Sequence, residues 1–518
     1  MIEKLKSFII GSPLPTSALS ECKLDKKRAL GALSPDALSS IAYANQEIYL
    51  GLIVAGSAGL NLAVPIALAI SALLFIVSLS YYQTIQAYPS GGGSYIVASE
   101  NLGKLLGVIA AAALLVDYIL TAAVSLTAGV AAITSAFPSL ISYNIEIALG
   151  LLLFITIINL RGSNETGLAI SIPVYFFLFS FLLMMIYGYV RVIMHGSIEL
   201  SQVSPPAIEP VTLFLILHTF SAGCTAMTGI EAVSNGVQLF CPPETKNAGM
   251  TLIIIAVLMT ILFLGSIGLT HLLGIIALPH ETILSALARS LLGSGILYHI
   301  IQISTLSILA VAANTSFTGF PRLAAILAKD GYMPRQFTNL GDRLVYHNGI
   351  IMLSLITGIL IFVFHGNSHL LIPLFAVGVF MAFTLSQIGM VVHWYHQKSK
   401  GWWLKSFLNG LGGLVTLITL LIVSFSKFIE GAWIILLIIP CIVMTLIKIN
   451  QHYTLVQQQL SIKGITPIRE RLVTTRAVIL VGNINRGMVD AINFARFSFK
   501  KVVALHIELD PQQSNSLK

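Results

Sequence analysis

The first apolar stretch of the chain opens with LSPDALSSIAYANQE, residues 33–47, and its reading decides the fold. A helix that crosses a membrane needs about 20 mostly apolar residues. This one carries Asp36, the serines Ser34, Ser39 and Ser40, Tyr43, and the polar run Asn45, Gln46, Glu47. Helical offsets place Asp36, Ser40, Tyr43 and Glu47 along one stripe. Ser34, Pro35 and Asp36 also make an ordinary helix start, a cap followed by proline and an acid favoured by the helix dipole. Taken alone, the segment leaves Asp36 divided between capping and function.

Its surroundings are those of a membrane protein. The chain has 518 residues, 56% hydrophobic and 10% charged, far outside the usual composition of a soluble domain. Runs such as LNLAVPIALAISALLFIVSLS and AGMTLIIIAVLMTILFLGSIGL recur along nearly the whole sequence. The length rule gives about twelve spans, the first from Leu33 to Gly56. The fold expected is an all-α membrane protein with a cytosolic tail at residues 1–30, a transmembrane domain at 31–450 and a cytosolic segment at 451–518. Residues 1–30 lack the apolar core of a cleavable signal, so the first span is expected to serve as the targeting signal.

Lysine and arginine fall on alternate connections. Lys4, Lys6, Lys23, Lys26, Lys27 and Arg28 precede the first span, Arg322, Lys329, Arg335 and Arg343 follow the eighth, and Lys398, Lys400 and Lys405 follow the tenth. These segments and both termini are therefore expected on the cytoplasmic side of the cell (inner) membrane. The formal charge of +8 is a topology signal and calls for no nucleic-acid partner. Cys22, Cys224, Cys241 and Cys441 have no disulfide or metal spacing.

After Asn450 the pattern changes. AVILVG, NRGMVDAINFARFSF and VVALHIELD read as strand, amphipathic helix, strand, one βαβ unit of a partial α/β module. One unit cannot cover a parallel sheet by itself, so a second copy of the chain or further residues are expected to complete it. Neither VGNINRG nor GGGSY, residues 91–95, matches a phosphate-binding loop. The latter reads as a tight turn along the membrane surface.

Ionisable groups within spans are costly and usually face a cavity. In the third span, LLVDYILTAAVSLTAGVAAITSAF, Asp117 stands mid-span with no capping role, and Tyr118, Thr121 and Ser125 share adjoining faces. The sixth, HTFSAGCTAMTGIEAVSNGVQLF, sets Gly223, Gly229 and Gly236 around Thr228 and Glu231. Glycine beside hydroxyls and an acid is what a discontinuous helix needs. The first and sixth spans are both interrupted and five spans apart, the pattern of a 5+5 inverted repeat with its site at the breaks. The breaks are expected near Tyr43–Asn45 and Thr228–Glu231. All the gathered groups are oxygen donors, suited to a hard cation. A bound amino acid would instead need bare amides for its carboxylate, and IAYANQE has no glycine.

SPDALSSIAY, YPSGGGSYIVASENLG, the third-span string, GCTAMTGIEAVSNGV and FTLSQIGMVVHW also resemble the KimA-type potassium importers, related to the KUP family within the amino acid, polyamine and organocation superfamily. The resemblance covers roughly residues 31–450. It implies a LeuT-like fold, potassium uptake by proton symport, and a homodimer joined through the C-terminal segments. It implies potassium ligands at Asp36, Tyr43, Tyr118, Thr121, Ser125, Thr228 and Glu231, with Asp117 in support. Asp36 and Glu231 are the candidates for proton coupling, because a carboxylate that alternates between ion ligand and proton carrier links the two fluxes at one site, and Asp117 stays open for the same role. At Phe375 the family is expected to carry a tyrosine, so one hydroxyl is missing. The expected function is a potassium/proton symporter, neither enzyme nor cofactor-dependent. The alternative is an amino acid or polyamine permease of the same fold.

Overall fold

The computed structural model describes residues 11–13, 24–91, 93–162, 166–197, 207–276, 281–461, 476–482, 484–499 and 501–506. Among them, ten helices are long and apolar enough to cross a membrane. The chain divides into two compact units, residues 1–444 and 445–518.

The stretch that opened the sequence is helix, and its interruption lies earlier than the side chains suggest. Helix α1 spans Lys26–Leu33 and α2 spans Pro35–Ile53, with Ser34 between them. The expected break at Tyr43–Asn45 is absent, for α2 runs straight through it. The polar side chains there find partners on other helices without freeing any backbone. Asn45 Nδ2 donates to Ser266 Oγ at 2.5 Å, Gln46 Oε1 accepts from the amide of Ile283, and Glu47 pairs with His369. Pro35 makes the interruption instead, because it has no N–H to give to the preceding turn. The helical path barely deviates. Ser34 keeps right-handed helical angles, its amide still bonds Leu30 O, and its own carbonyl accepts from Leu38 N.

After α2 come α3 (Ala63–Ala87), α4 (Ser94–Asn101) and α5 (Lys104–Ala136). The GGGSY connection is short, as expected. Gly91 N bonds Tyr88 O at 3.0 Å, and α4 begins at Ser94. Helices α6 (Asn144–Arg161) and α7 (Thr166–His195) follow.

The next span is unwound where its glycines predict. Helix α8 (Leu213–Gly223) passes into a 3₁₀ turn at Cys224–Met227, Thr228 is extended, Gly229 has φ +77°, and α9 resumes at Glu231–Asn235. The remaining helices of this unit are α10 (Glu244–Leu272), α11 (Ile283–Leu292), α12 (Ile296–Lys329), α13 (His347–Val363), α14 (Ser368–Gln397), α15 (Trp402–Ser426) and α16, Trp433–Gln459, which runs past residue 444.

Helices α5 and α14 form the centre: 78% and 83% of their apolar windows are buried, against 22% for the window that includes α6. Small residues allow the close approach that apolar surroundings require. The alanine row Ala110–Ala113 is buried on α5, and a side chain at Gly378 of α14 would lie 3.3 Å from the carbonyl of Ala113. At the far end of α15, Glu430 accepts from Lys427 at 2.7 Å and meets His218 of α8 at 2.6 Å.

In the second unit, β1 (Arg476–Leu480) and β2 (Lys501–Leu505) pair in parallel from Arg476↔Lys501 to Leu480↔Leu505. The amphipathic α17 (Arg486–Ser498) joins them. This is the expected βαβ pattern, and it leaves Val478, Leu480, Phe494 and Phe497 exposed.

Candidate functional site

The two interruptions touch. A β-carbon added at Gly229 would fall 2.6 Å from the amide nitrogen of Ala37 and 2.9 Å from Asp36 Cβ. No other residue fits there, since φ +77° already disfavours any side chain. From α2, Ser40 Oγ reaches the carbonyl of Ala226 at 2.9 Å, one of the groups presented by the unwound turn. Tyr43 and Thr228 hydroxyls stand 3.3 Å apart, and Thr228 lies close to the Asp36 carboxyl.

Asp36 lies in the first turn of α2. Ser34 provides no side-chain cap, and Asp36 Oδ1 is buried with no hydrogen-bond partner. A buried carboxylate oxygen without a partner from the protein is costly, and a helix-start role alone gives it none.

The third-span residues meet this pair from α5. Thr121 Oγ1 is 3.5 Å from Asp117 Oδ1, and the carboxyls of Asp117 and Glu231 lie within hydrogen-bonding reach of each other. Ser125 Oγ and Glu231 Oε2 are buried without partners. Asp36, Tyr43, Asp117, Thr121, Ser125, Thr228 and Glu231 are all buried. Tyr118 sits to one side: its hydroxyl accepts from Asn235 Nδ2 at 3.1 Å, and its ring packs on Gly319. Phe375 is fully buried and brings no oxygen.

Tyr81 is a member of the neighbourhood that the sequence reading missed. Its hydroxyl is 3.5 Å from Ser94 Oγ, within electrostatic range of Glu231 and Asp117. The paired tyrosines in SLSYYQT were the available signal. Among the described residues no three His, Cys, Asp or Glu side chains close round one point as a metal cage would. The three acids are near enough to interact with one another, among hydroxyls and freed carbonyls. Such a group can replace the water of a weakly hydrated cation and can hold a proton at more than one place.

Ten membrane-capable helices around two touching interruptions define a polytopic membrane protein with a polar site at its centre. The family described as Amino acid permease matches residues 36–448. The chain is 42% identical to the potassium transporter KimA of Bacillus subtilis (strain 168), over all of this chain and 85% of that protein. It belongs to the amino acid permease family, within the amino acid, polyamine and organocation superfamily.

Proposed function

We propose that the chain imports potassium ions across the cell membrane by proton symport, as a secondary transporter of about twelve spans with both termini in the cytoplasm. The ten membrane-capable helices, together with α2 and α13, support that number. The kinship with a protein named as a potassium transporter supports the ion.

The observation that carries the reading is the position of Asp36. The absence of glycine in IAYANQE no longer argues against an amino acid, because the interruption lies at Ser34, beside Gly31. A helix N-terminus attracts anions, but the N-terminus of α2 holds the Asp36 carboxyl in its first turn. A substrate carboxylate would meet a like charge there. A cation would meet Asp36, the Tyr43 and Thr228 hydroxyls, and beyond them Asp117, Thr121, Ser125 and Glu231. Tyr118 belongs to the same ligand set in this reading, on the side facing Asn235. Asp36, Asp117 and Glu231 are the candidates for carrying the coupled proton.

The test is rubidium or potassium uptake by purified protein in liposomes under an inward proton gradient. Saturable accumulation that an uncoupler abolishes is expected. Competition by amino acids or polyamines, with indifference to potassium, would favour the permease alternative that the family description itself suggests.

The C-terminal unit belongs to this reading as a dimer contact. Two parallel strands with exposed Val478 and Leu480 cannot form a covered sheet alone, and a second copy would supply the missing cover. Removing residues after 450 is expected to convert dimers to monomers in mass photometry while leaving uptake measurable.

A further inference from the structure

The far end of the polar stripe on α2 carries a group that the proposed site does not use. Glu47 Oε1 lies 2.5 Å from His369 Nδ1, in the second position of α14. Glu47 is almost entirely buried, while the His369 side chain is 41% exposed. This end of α14 follows a connection, residues 364–367, without lysine or arginine. The positive-inside pattern therefore sets it on the outer side.

His369 and Tyr43 both line one small cavity of about 20 Å³, room for about one water. Past Tyr43 the line continues to Thr228 at 3.3 Å and from Thr228 to Asp36. A titratable pair open to the outer face is thus joined, through one water-sized space and two hydroxyls, to the acids at the centre.

We infer that His369, held by Glu47, takes up the driving proton from the outer water and passes it inward through the cavity and Tyr43. A proton taken by the imidazole from outside leaves again to the water in the cavity. Each hydroxyl along the line accepts one proton as it releases its own, so none of them retains charge. Glu47 holds the imidazole in one orientation and stabilises its charged form between the two transfers.

The titratable groups facing His369 are few. Glu47 and Tyr43 are both on α2, and the other walls of the cavity, from α5, the start of α11, and α12, bring alanine, leucine and threonine. Glu281, the acid nearest to α11 in sequence, is engaged by Arg289 at 3.2 Å.

This inference rests on the proton-symport reading, and the experiment separates the two. His369→Gln, Glu47→Gln and His369→Arg are reconstituted, and each is assayed for rubidium accumulation under an inward proton gradient and for rubidium/potassium exchange at equal pH. His369→Gln and Glu47→Gln should lose accumulation by about tenfold or more, in the range of an essential proton-transfer group. Exchange should stay within about threefold, since neither residue is among the ion ligands. Arginine keeps the pair with Glu47 but does not give up its proton. A relay predicts that His369→Arg stays uncoupled, whereas a purely structural bridge predicts rescue.

Rescue by arginine, accumulation by His369→Gln equal to wild type, or joint loss of exchange and accumulation in both His369 variants would each overturn the assignment. A wild-type protein whose accumulation ignores an uncoupler would sink the symport reading and this one together. If the uncoupler collapses wild-type accumulation and His369→Gln behaves like wild type, only the role of His369 falls.

Discussion

The two interruptions at the centre of the molecule are built by different means. Between α1 and α2 a single proline removes one amide, Ser34 keeps helical angles, and hydrogen bonds on either side bridge the gap. Between α8 and α9 the chain truly unwinds, through a 3₁₀ turn, an extended Thr228 and a left-handed Gly229. The first places a carboxyl at a helix start, and the second frees carbonyls such as that of Ala226. A cation site needs charge and neutral oxygen together; the first interruption supplies mainly charge, whereas the second, which also sets Glu231 at the start of α9, supplies both.

The sharpest way to break that comparison is Gly229→Ala. The left-handed conformation costs about 1–3 kcal/mol with a side chain, and the added carbon meets the backbone of Ala37, which cannot swing aside. Uptake should fall to background, with a lower thermal midpoint in detergent. Normal transport by this variant would show that the helices separate there without loss.

Next come the charges. Asp36→Asn and Glu231→Gln preserve size and hydrogen bonding, and each should reduce gradient-driven accumulation by on the order of 100-fold. Wild-type accumulation in both would return Asp36 to the status of a helix-start residue and remove the central acids from the mechanism.

Neutral oxygens should matter less. Thr121→Val or Ser125→Ala removes one hydroxyl and should weaken the half-saturating potassium concentration about tenfold, some 1.4 kcal/mol, with maximal rate largely retained. A change confined to maximal rate would place these hydroxyls outside the ion path.

The smallest effect is expected at Pro35→Ala. Proline at the first helical position is favourable but replaceable, and the neighbouring hydrogen bonds already carry the helix across. Uptake should stay within about threefold of wild type. A loss as deep as that of Gly229→Ala would make the two interruptions equivalent after all.

Apolar length and the glycines around Thr228 were legible in the sequence because each is a local property of backbone or solvent. The βαβ pattern after Asn450 was legible for the same reason. The position of the first interruption was not, for side-chain polarity misled. Asn45, Gln46 and Glu47 are polar because they bond Ser266, Ile283 and His369, partners more than 200 positions away that no local pattern can reveal. The charged string KKRALGAL, residues 26–33, gives no hint, either, that this segment is helix leading up to the break. Pro35 marks a helix start in the sequence, but a helix start preceded by another helix is an interruption.

The contact of Gly229 with Ala37 also has a mechanical meaning. Side chains between two helices act as soft spacers, since rotamers can change and contacts can slide. Here the glycine lies directly against the peptide backbone of the neighbouring helix, so nothing compliant separates the two chain segments. A displacement of either helix end is therefore passed to the other almost undamped, and the two broken helices are coupled in motion by the same close approach that joins their polar groups into one site.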